Sequence, residues 1–238
     1  MANTDPETRP DTPAEKTVSF GFEDVSETEK VSRVKGVFRS VADRYDLMND
    51  LMSAGVHRIW KANTMSRLNP QPGEAFLDVA GGTGDLSFAF LKSAGEKARR
   101  TNRYHLPARA TVCDINDAML QSGQKRDLAS KYAGQISWVC GDAMHLPFED
   151  RSVDALAIAF GIRNVADMDQ AFREFRRVLK PGGRFACLEF SHMTANVLQE
   201  AYDAYSFNVI PKLGGLIADD EASYQYLVES IRRFPKQD

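Results

Sequence analysis

No stretch of this 238-residue chain approaches the roughly 20 consecutive apolar residues that a bilayer-spanning helix needs. There is no excess of basic residues either: the net charge of −3 leaves no electrostatic footprint for nucleic acid, so no nucleic-acid partner is expected. The first thirty residues lack the apolar core of a secretory signal. They are rich in acids (Asp5, Glu7, Asp11, Glu15, Glu23, Asp24), which a transit peptide avoids. Residues 1–18 therefore read as a disordered tail. Cysteine is scarce as well. Cys113, Cys140 and Cys187 are an odd number at wide spacing, which excludes a disulfide framework and a zinc site; no metal is expected. Each falls in a segment that reads as a buried strand, so all three are expected to be small apolar core residues in a chain made in a reducing compartment.

What is present suits one domain, 19–238. Residues 28–49 place Val31, Val34, Val37, Phe38, Val41 and Tyr45 near helical spacing and predict a helix or helix pair. Residues 54–68 predict another, with Ile59, Trp60, Met65 and Leu68 on its buried face, stopped by Asn-Pro-Gln-Pro-Gly at 69–73. This helical cap (19–70) precedes a regular alternation in a core of 71–192. Strands are predicted at 75–80, 110–115, 135–142, 153–162 and 184–190, with helices at 85–94, 117–132 and 167–179. In the last helix, Asp167 caps the start, while Phe172, Phe175 and Leu179 share a face. Apolar strands that alternate with helices imply an α/β fold: a mostly parallel sheet, covered on both faces, with ligands at the carboxyl ends of its strands.

Polar residues gather at those ends. Asp78 and three glycines (Gly81, Gly82, Gly84) close the first strand, Asp114 the second and Asp142 the third. Phe-Gly-Ile-Arg-Asn (160–164) closes the fourth, and Glu189 and His192 the fifth. A glycine turn accepts a pyrophosphate, a phosphate or a sulfonium nucleoside. The dinucleotide fingerprint needs a third glycine or alanine where this chain has Ser87, and no Lys-Ser or Lys-Thr follows as a phosphate loop requires. Asp78 and Asp85 would oppose a phosphate at the start of the following helix. The same acids suit the ammonium and sulfonium of S-adenosylmethionine. Asp114 can then accept both ribose hydroxyls, and Asp142 with Ala143 can lie beside the adenine.

The chain resembles the UbiE/COQ5 family of C-methyltransferases, which act on quinone precursors. The resemblance rests on residues 37–61, Leu-Asp-Val-Ala-Gly-Gly-Thr-Gly-Asp (77–85), Asp-Ile-Asn-Asp-Ala-Met-Leu (114–120), residues 142–148, 160–184, 188–191 and 201–235. The segments at 160–164 and 202–211 are family-specific; the glycine turn marks only the class. The resemblance implies a class I, Rossmann-like, S-adenosylmethionine-dependent methyltransferase with cofactor contacts at Thr83, Asp114, Asp142 and Ala143. The family often has Asn in place of Asp142, and some members use a Ser in place of Ala159, so that contact does not transfer. It also implies a helix and two closing strands after Arg-Arg-Phe-Pro (232–235). This chain stops at Asp238, so either it is a shortened product or its sheet is completed some other way; five strands alone would leave the fifth with an uncovered edge, which invites association.

The implied acceptor is a polyprenylated quinol, demethylmenaquinol or 2-methoxy-6-polyprenyl-1,4-benzoquinol. The protein is expected in the cytoplasm, at the inner face of the membrane, alone, as a homodimer or within a quinone-biosynthesis complex. Arg163, Asn164 and His192 are the candidate catalytic residues: His192 as base or relay, Arg163 to hold a water or a phenolate. Tyr45, Asp46 and Asn49 are candidates to close over the site. A segment at 193–235, with Leu198, Tyr202, Tyr205 and Val209 at helical spacing, is expected to cover the prenyl tail. Two other readings stay open: a methyltransferase for another lipophilic acceptor, and a catalytically silent cofactor-binding or assembly subunit.

Overall fold

The computed structural model describes residues 17–42, 45–53, 55–190, 205–207, 211–212 and 220–235. The first described element is a short antiparallel hairpin, β1 (Thr17–Phe20) and β2 (Glu23–Ser26), which takes in the last two residues of the expected tail. Ser26 then caps α1 (Glu27–Val41) by accepting from Glu29 N at 3.2 Å. Helices α2 (Tyr45–Ser53) and α3 (His57–Leu68) complete the N-terminal cap. The buried face of α3 is narrower than its sequence suggests. Met65 and Leu68 are buried, but Ile59 is 61% exposed and Trp60 37% exposed, its ring edge-on to Phe190.

Five strands form the sheet: β3 (Ala75–Val79), β4 (Arg109–Asp114), β5 (Ile136–Cys140), β6 (Val153–Ala159) and β7 (Leu179–Leu188). Their order is β5-β4-β3-β6-β7 and every pairing is parallel. The chain runs outward from β3 through β4 to β5, then returns to the other side of β3 for β6 and β7. The switch between β3 and β6 opens a crevice at the carboxyl ends of the strands. Helix α4 (Asp85–Arg100) and α3 cover one face, with Leu86, Phe90, Leu91 and Ala94 on Phe76, Ala110 and Ala155. Helix α7 (Met168–Val178) covers the other, with Ala171, Phe175 and Val178 near Leu77, Leu156 and Ile158. Asp167 caps α7 by accepting from Gln170 N at 2.9 Å. The last described helix, α8 (Glu221–Arg233), contributes Tyr224, Tyr226, Leu227 and Ile231 to a third cluster with α1, Met52, Phe160 and Phe190. That cluster seats the cap above the carboxyl end of the sheet.

Several expectations give way at the sheet edges. Cys113 is buried on β4, but Cys140 and Cys187 are exposed because β5 and β7 are the outer strands. Phe172 is 42% exposed; it leans edge-on against Phe175 and Phe185 beside β7. Leu179 belongs to β7, not to α7, and Pro181-Gly182-Gly183, which falls between the helix and the strand read from the sequence, lies inside β7. It forms an irregularity where Val153 pairs with Leu179 but Ala155 pairs with Arg184. The helix expected over 117–132 is two, α5 (Asp117–Gln124) and α6 (Asp127–Lys131). A Cβ on Gly123 would lie 2.5 Å from the Trp138 ring, so that last turn of α5 needs glycine to let β5 approach. The break also frees Arg126 to reach the glycine turn.

Candidate functional site

A cavity with about 760 Å³ of empty space, partly open to solvent, lies over the carboxyl ends of β3, β4, β5 and β6. Of the residues expected to bind cofactor, Gly82, Asp114, Asp142 and Ala143 line it, as does Asn164 of the proposed catalytic set. Helix α1 supplies the opposite wall through Val31, Val34, Lys35 and Phe38. The lining is thus mostly apolar with a few convergent polar groups, as small-molecule sites are. Two non-glycine residues with positive φ mark its floor, Ala80 (50°) after β3 and Phe160 (57°) after β6. Such conformations cost roughly 1–3 kcal/mol each and cluster at functional sites.

Asp114 organises the rim. Its Oδ2 accepts from Gly82 N at 2.9 Å and its Oδ1 from Asn116 N at 2.8 Å, so one carboxylate ties the glycine turn to the start of α5. Asn116 caps α5 by accepting from Ala118 N at 3.1 Å and donates to Lys35 O at 3.2 Å, which anchors the α1 wall. Burial pushes the Asp114 carboxyl up to about 6, against the pull of those backbone donors. Each oxygen keeps lone pairs for a further donor, which is the chemistry a ribose diol needs. Asp142 is arranged similarly: its Oδ1 accepts from Met144 N at 2.9 Å, which shapes the turn that presents Ala143.

Asp78, Gly81, Thr83 and Gly84 do not line the cavity; they build the turn from beneath. Asp78 is 1% exposed, and its Oδ2 accepts from both Ser87 N (3.1 Å) and Ser87 Oγ (3.0 Å). Burial raises its carboxyl to about 7, with the Ser87 bonds opposing. Ser87, the departure from the dinucleotide fingerprint, is therefore the partner that holds Asp78. Gly81 is required because a Cβ there would sit 2.7 Å from the Asp78 carboxyl carbon. Gly84 turns into α4 with φ 83°. Asp85 corrects the sequence argument about charge. Burial alone would raise its carboxyl, but Lys61 Nζ at 2.7 Å and Arg126 Nη1 at 2.6 Å overcome that and hold it below the ordinary range. Arg126 also donates to Thr83 O and Oγ1, at 3.2 and 3.0 Å. Two cations offset the one carboxylate, so Asp85 pins the turn instead of adding negative field to the cavity.

The loop after β6 separates two cavities. Asn164 faces the first, Arg163, Lys30, Tyr226 and Ser230 line the second, which has about 570 Å³ of empty space, and Val165 and Ala166 border both. Arg163 does not line the first cavity. Its guanidinium bonds Glu189 Oε1 at 2.5 Å and Phe160 O at 2.7 Å, and both side chains of the pair are 4% exposed. Asn49 is buried, with its Nδ2 unpartnered, and does not line the cavity either. His192 and most of the expected lid, including Leu198, Tyr202 and Val209, lie outside the described residues, as do the side chains of Tyr45 and Asp46.

Sequence reasoning passed over Lys30, Lys35, Asn116, Met119 and Tyr226. Lys30 carries the clearest physical signature. It is 4% exposed and donates to Arg163 O (3.3 Å) and Val165 O (3.0 Å), which fastens α1 to the loop. Burial lowers its ammonium from 10.5 to about 8. Between those values the unfolded chain holds a proton that the folded one has lost, so stability rises with pH across that window; below 8 the full penalty applies. The neutral amine still has two N–H groups for the two carbonyls. Chemical denaturation should show wild type gaining about 3 kcal/mol more than Lys30→Met from pH 8 to 10.5. Parallel stability curves for the two proteins would contradict this.

Comparison with known proteins agrees with this architecture. The sequence pattern described as the ubiE/COQ5 methyltransferase family matches residues 24–238. The chain is 55% identical to the "Ubiquinone/menaquinone biosynthesis C-methyltransferase UbiE" of Roseobacter denitrificans, covering 94% of this chain and 85% of that one. It is 50% identical to the mitochondrial "2-methoxy-6-polyprenyl-1,4-benzoquinol methylase" of Homo sapiens, over 92% of this chain and 74% of that one. Among solved structures, an S-adenosylmethionine-dependent methyltransferase from Methanococcus maripaludis, described as putative, shares the fold with a TM-score of 0.53 and 20% identity, covering 81% of this chain and 84% of that one. With its parallel sheet, its glycine turn pinned by Asp114 and a family pattern that extends from the hairpin to the C-terminus, the chain belongs to the ubiE/COQ5 methyltransferase family.

Proposed function

We propose that this protein methylates a ring carbon of a polyprenylated quinol, with S-adenosylmethionine as methyl donor, in ubiquinone or menaquinone biosynthesis. The observation that carries the reading is identity of 50–55%, over more than nine-tenths of the chain, to relatives named for these reactions. The cavity supports it: an acidic rim at Asp114 and Asp142 for the nucleoside, and apolar walls from α1 and Phe160 for a hydrophobic ring.

When bound, the cofactor supplies an activated methyl: the ring carbon's electron pair forms the new C–C bond, the C–S bond breaks with its pair on sulfur, and the ring proton leaves to a base or to water. The protein's own residues act mainly by orientation, which at best contributes roughly 7–11 kcal/mol. Asp114 accepts ribose hydroxyls on lone pairs that its backbone bonds leave free. Asp142 and Ala143 border the adenine. Gly81, Gly84, Thr83 and Asp78 give the turn its shape. Asn164 meets the acceptor, Arg163 holds the loop that carries Asn164, and His192 relays a proton. Val31, Val34 and Phe38 exclude water from the ring. A prenyl tail resides in lipid, so the quinol is met at a membrane surface; no helix among the described residues is long and apolar enough to cross one.

The test is methyl transfer from labelled S-adenosylmethionine to short-tailed demethylmenaquinol and 2-methoxy-6-prenyl-1,4-benzoquinol, each reduced in situ. The expected product carries the label on a ring carbon by NMR. Label on oxygen, or tight cofactor binding without transfer to either quinol, would sink the proposal.

A further inference from the structure

Asn164 is the polar side chain that the loop after β6 presents to the first cavity, and its carboxamide has two faces to offer. Two neighbours decide which. The carbonyl of Phe160 can only accept, and Asn164 Nδ2 lies 3.4 Å from it. That orientation turns Oδ1 toward the hydroxyl of Tyr226, at 2.8 Å. Tyr226 belongs to α8, sixty-two residues away, and is 4% exposed. Its ring stacks on Phe20 of β1, with centroids 4.1 Å apart, and packs in the cluster with α1, so the phenol has little freedom to move. Arg163 already supplies Phe160 O with a short bond of 2.7 Å, which leaves the long Asn164 contact weak. The Nδ2 hydrogens are then the donors that this side chain can turn to a ligand, while its oxygen is occupied.

We infer that Tyr226 is a positioning residue: its hydroxyl engages Asn164 Oδ1 and so fixes the carboxamide as a hydrogen-bond donor toward an oxygen on the acceptor ring. This rests on the proposed methyl transfer and adds the sense of the contact to it. A donor at that place favours a quinol hydroxyl that is losing its proton, because a bond to a phenolate is stronger than one to a neutral phenol. The donation by Tyr226 persists across the working pH range, since burial pushes its phenol well above the usual value. The geometry also links the C-terminal helix to the site: α8 reaches the loop after β6 through this hydroxyl, and through Ser230 Oγ, which accepts from Arg163 Nε at 3.3 Å.

A double-mutant cycle on quinol methylation tests the inference. Tyr226→Phe keeps the stack on Phe20 and removes the hydroxyl. Its kcat should fall about tenfold while the Kd for S-adenosylmethionine stays within twofold of wild type. Asn164→Ala should fall further, and Tyr226→Phe in that background should cost nothing more, because Tyr226 acts through Asn164. Asn164→Asp, which still accepts from Tyr226 but cannot donate, should be as slow as Asn164→Ala. Full turnover in Tyr226→Phe, additive losses in the double variant, or an active Asn164→Asp would each overturn the assignment. A wild-type protein that binds the cofactor but methylates neither quinol would remove the reading beneath it, and the inference with it.

Discussion

Replacing Asp114 by asparagine weakens S-adenosylmethionine binding by two to three orders of magnitude and leaves the sheet intact. The carboxylate already holds two backbone donors, Gly82 N on one oxygen and Asn116 N on the other. Asparagine has one oxygen, so its NH2 must face one of those N–H groups, donor against donor. That clash costs roughly 1–3 kcal/mol with or without ligand and so lowers stability, whereas affinity falls because the two bonds to ribose hydroxyls lose their charge assistance, each such bond contributing about 1.5–3 kcal/mol. A net loss of about 3–4 kcal/mol is therefore expected, or roughly 10²–10³ in Kd by calorimetry. The wild type has its own version of this experiment. Burial raises the Asp114 carboxyl to about 6, and a ligand that donates to the carboxylate favours the ionised form. Cofactor affinity should thus fall as pH drops below 6, and binding near pH 6 should release protons. Neither trend should appear in Asp114→Asn. An affinity in the variant within threefold of wild type would remove Asp114 from the nucleoside site.

The sheet was legible because its strands are short apolar runs that alternate with helical periodicity, and such runs have few other folds available. Strand-end acids were legible for the same reason, since a parallel sheet sends its polar residues to one edge. Which way each acid faces was not. Asp78, Asp85 and Asp114 look alike in sequence. The structure buries the first under the turn with Ser87, pairs the second with Lys61 and Arg126, and leaves the third at the cavity. Those differences arise from residues up to forty-one positions away, as with Arg126 and Asp85, and no local spacing encodes them. The same holds for Cys140, Cys187 and Phe172, whose periodicity is that of core residues but whose elements lie at or beside the sheet edge. Val31, Val34 and Phe38 read as an ordinary buried face, and the face they bury is the cavity wall. The sequence also singled out the segment that contains Tyr226, but gave no sign that its hydroxyl reaches Asn164.

Glu189→Gln is expected to destabilise the protein by about 3–5 kcal/mol, the loss typical when one partner leaves a buried ion pair. Glu189 and Arg163 are each 4% exposed in their side chains, and no other described carboxylate pairs with Arg163. Glutamine preserves the shape, and its oxygen can still accept from Phe190 N, now at 2.9 Å from Oε1; beyond the charge, it gives up the long 3.4 Å acceptance of Oε2 from Arg163 N. Urea denaturation reads it directly as a lower midpoint at unchanged slope. The pair also settles what Arg163 does. Removing both charges, as in Arg163→Met with Glu189→Leu, should recover much of the stability lost by either single change, because the uncompensated charge is gone. Arg163 serves through its ion pair and its bond to Phe160 O if turnover in the double variant returns along with stability. It has a chemical role as well if the double variant is stable, binds cofactor normally and remains slow. A glutamine variant within 1 kcal/mol of wild type would show that the Glu189 charge does not hold this loop, and that the bonds from Lys30 and Tyr226 suffice.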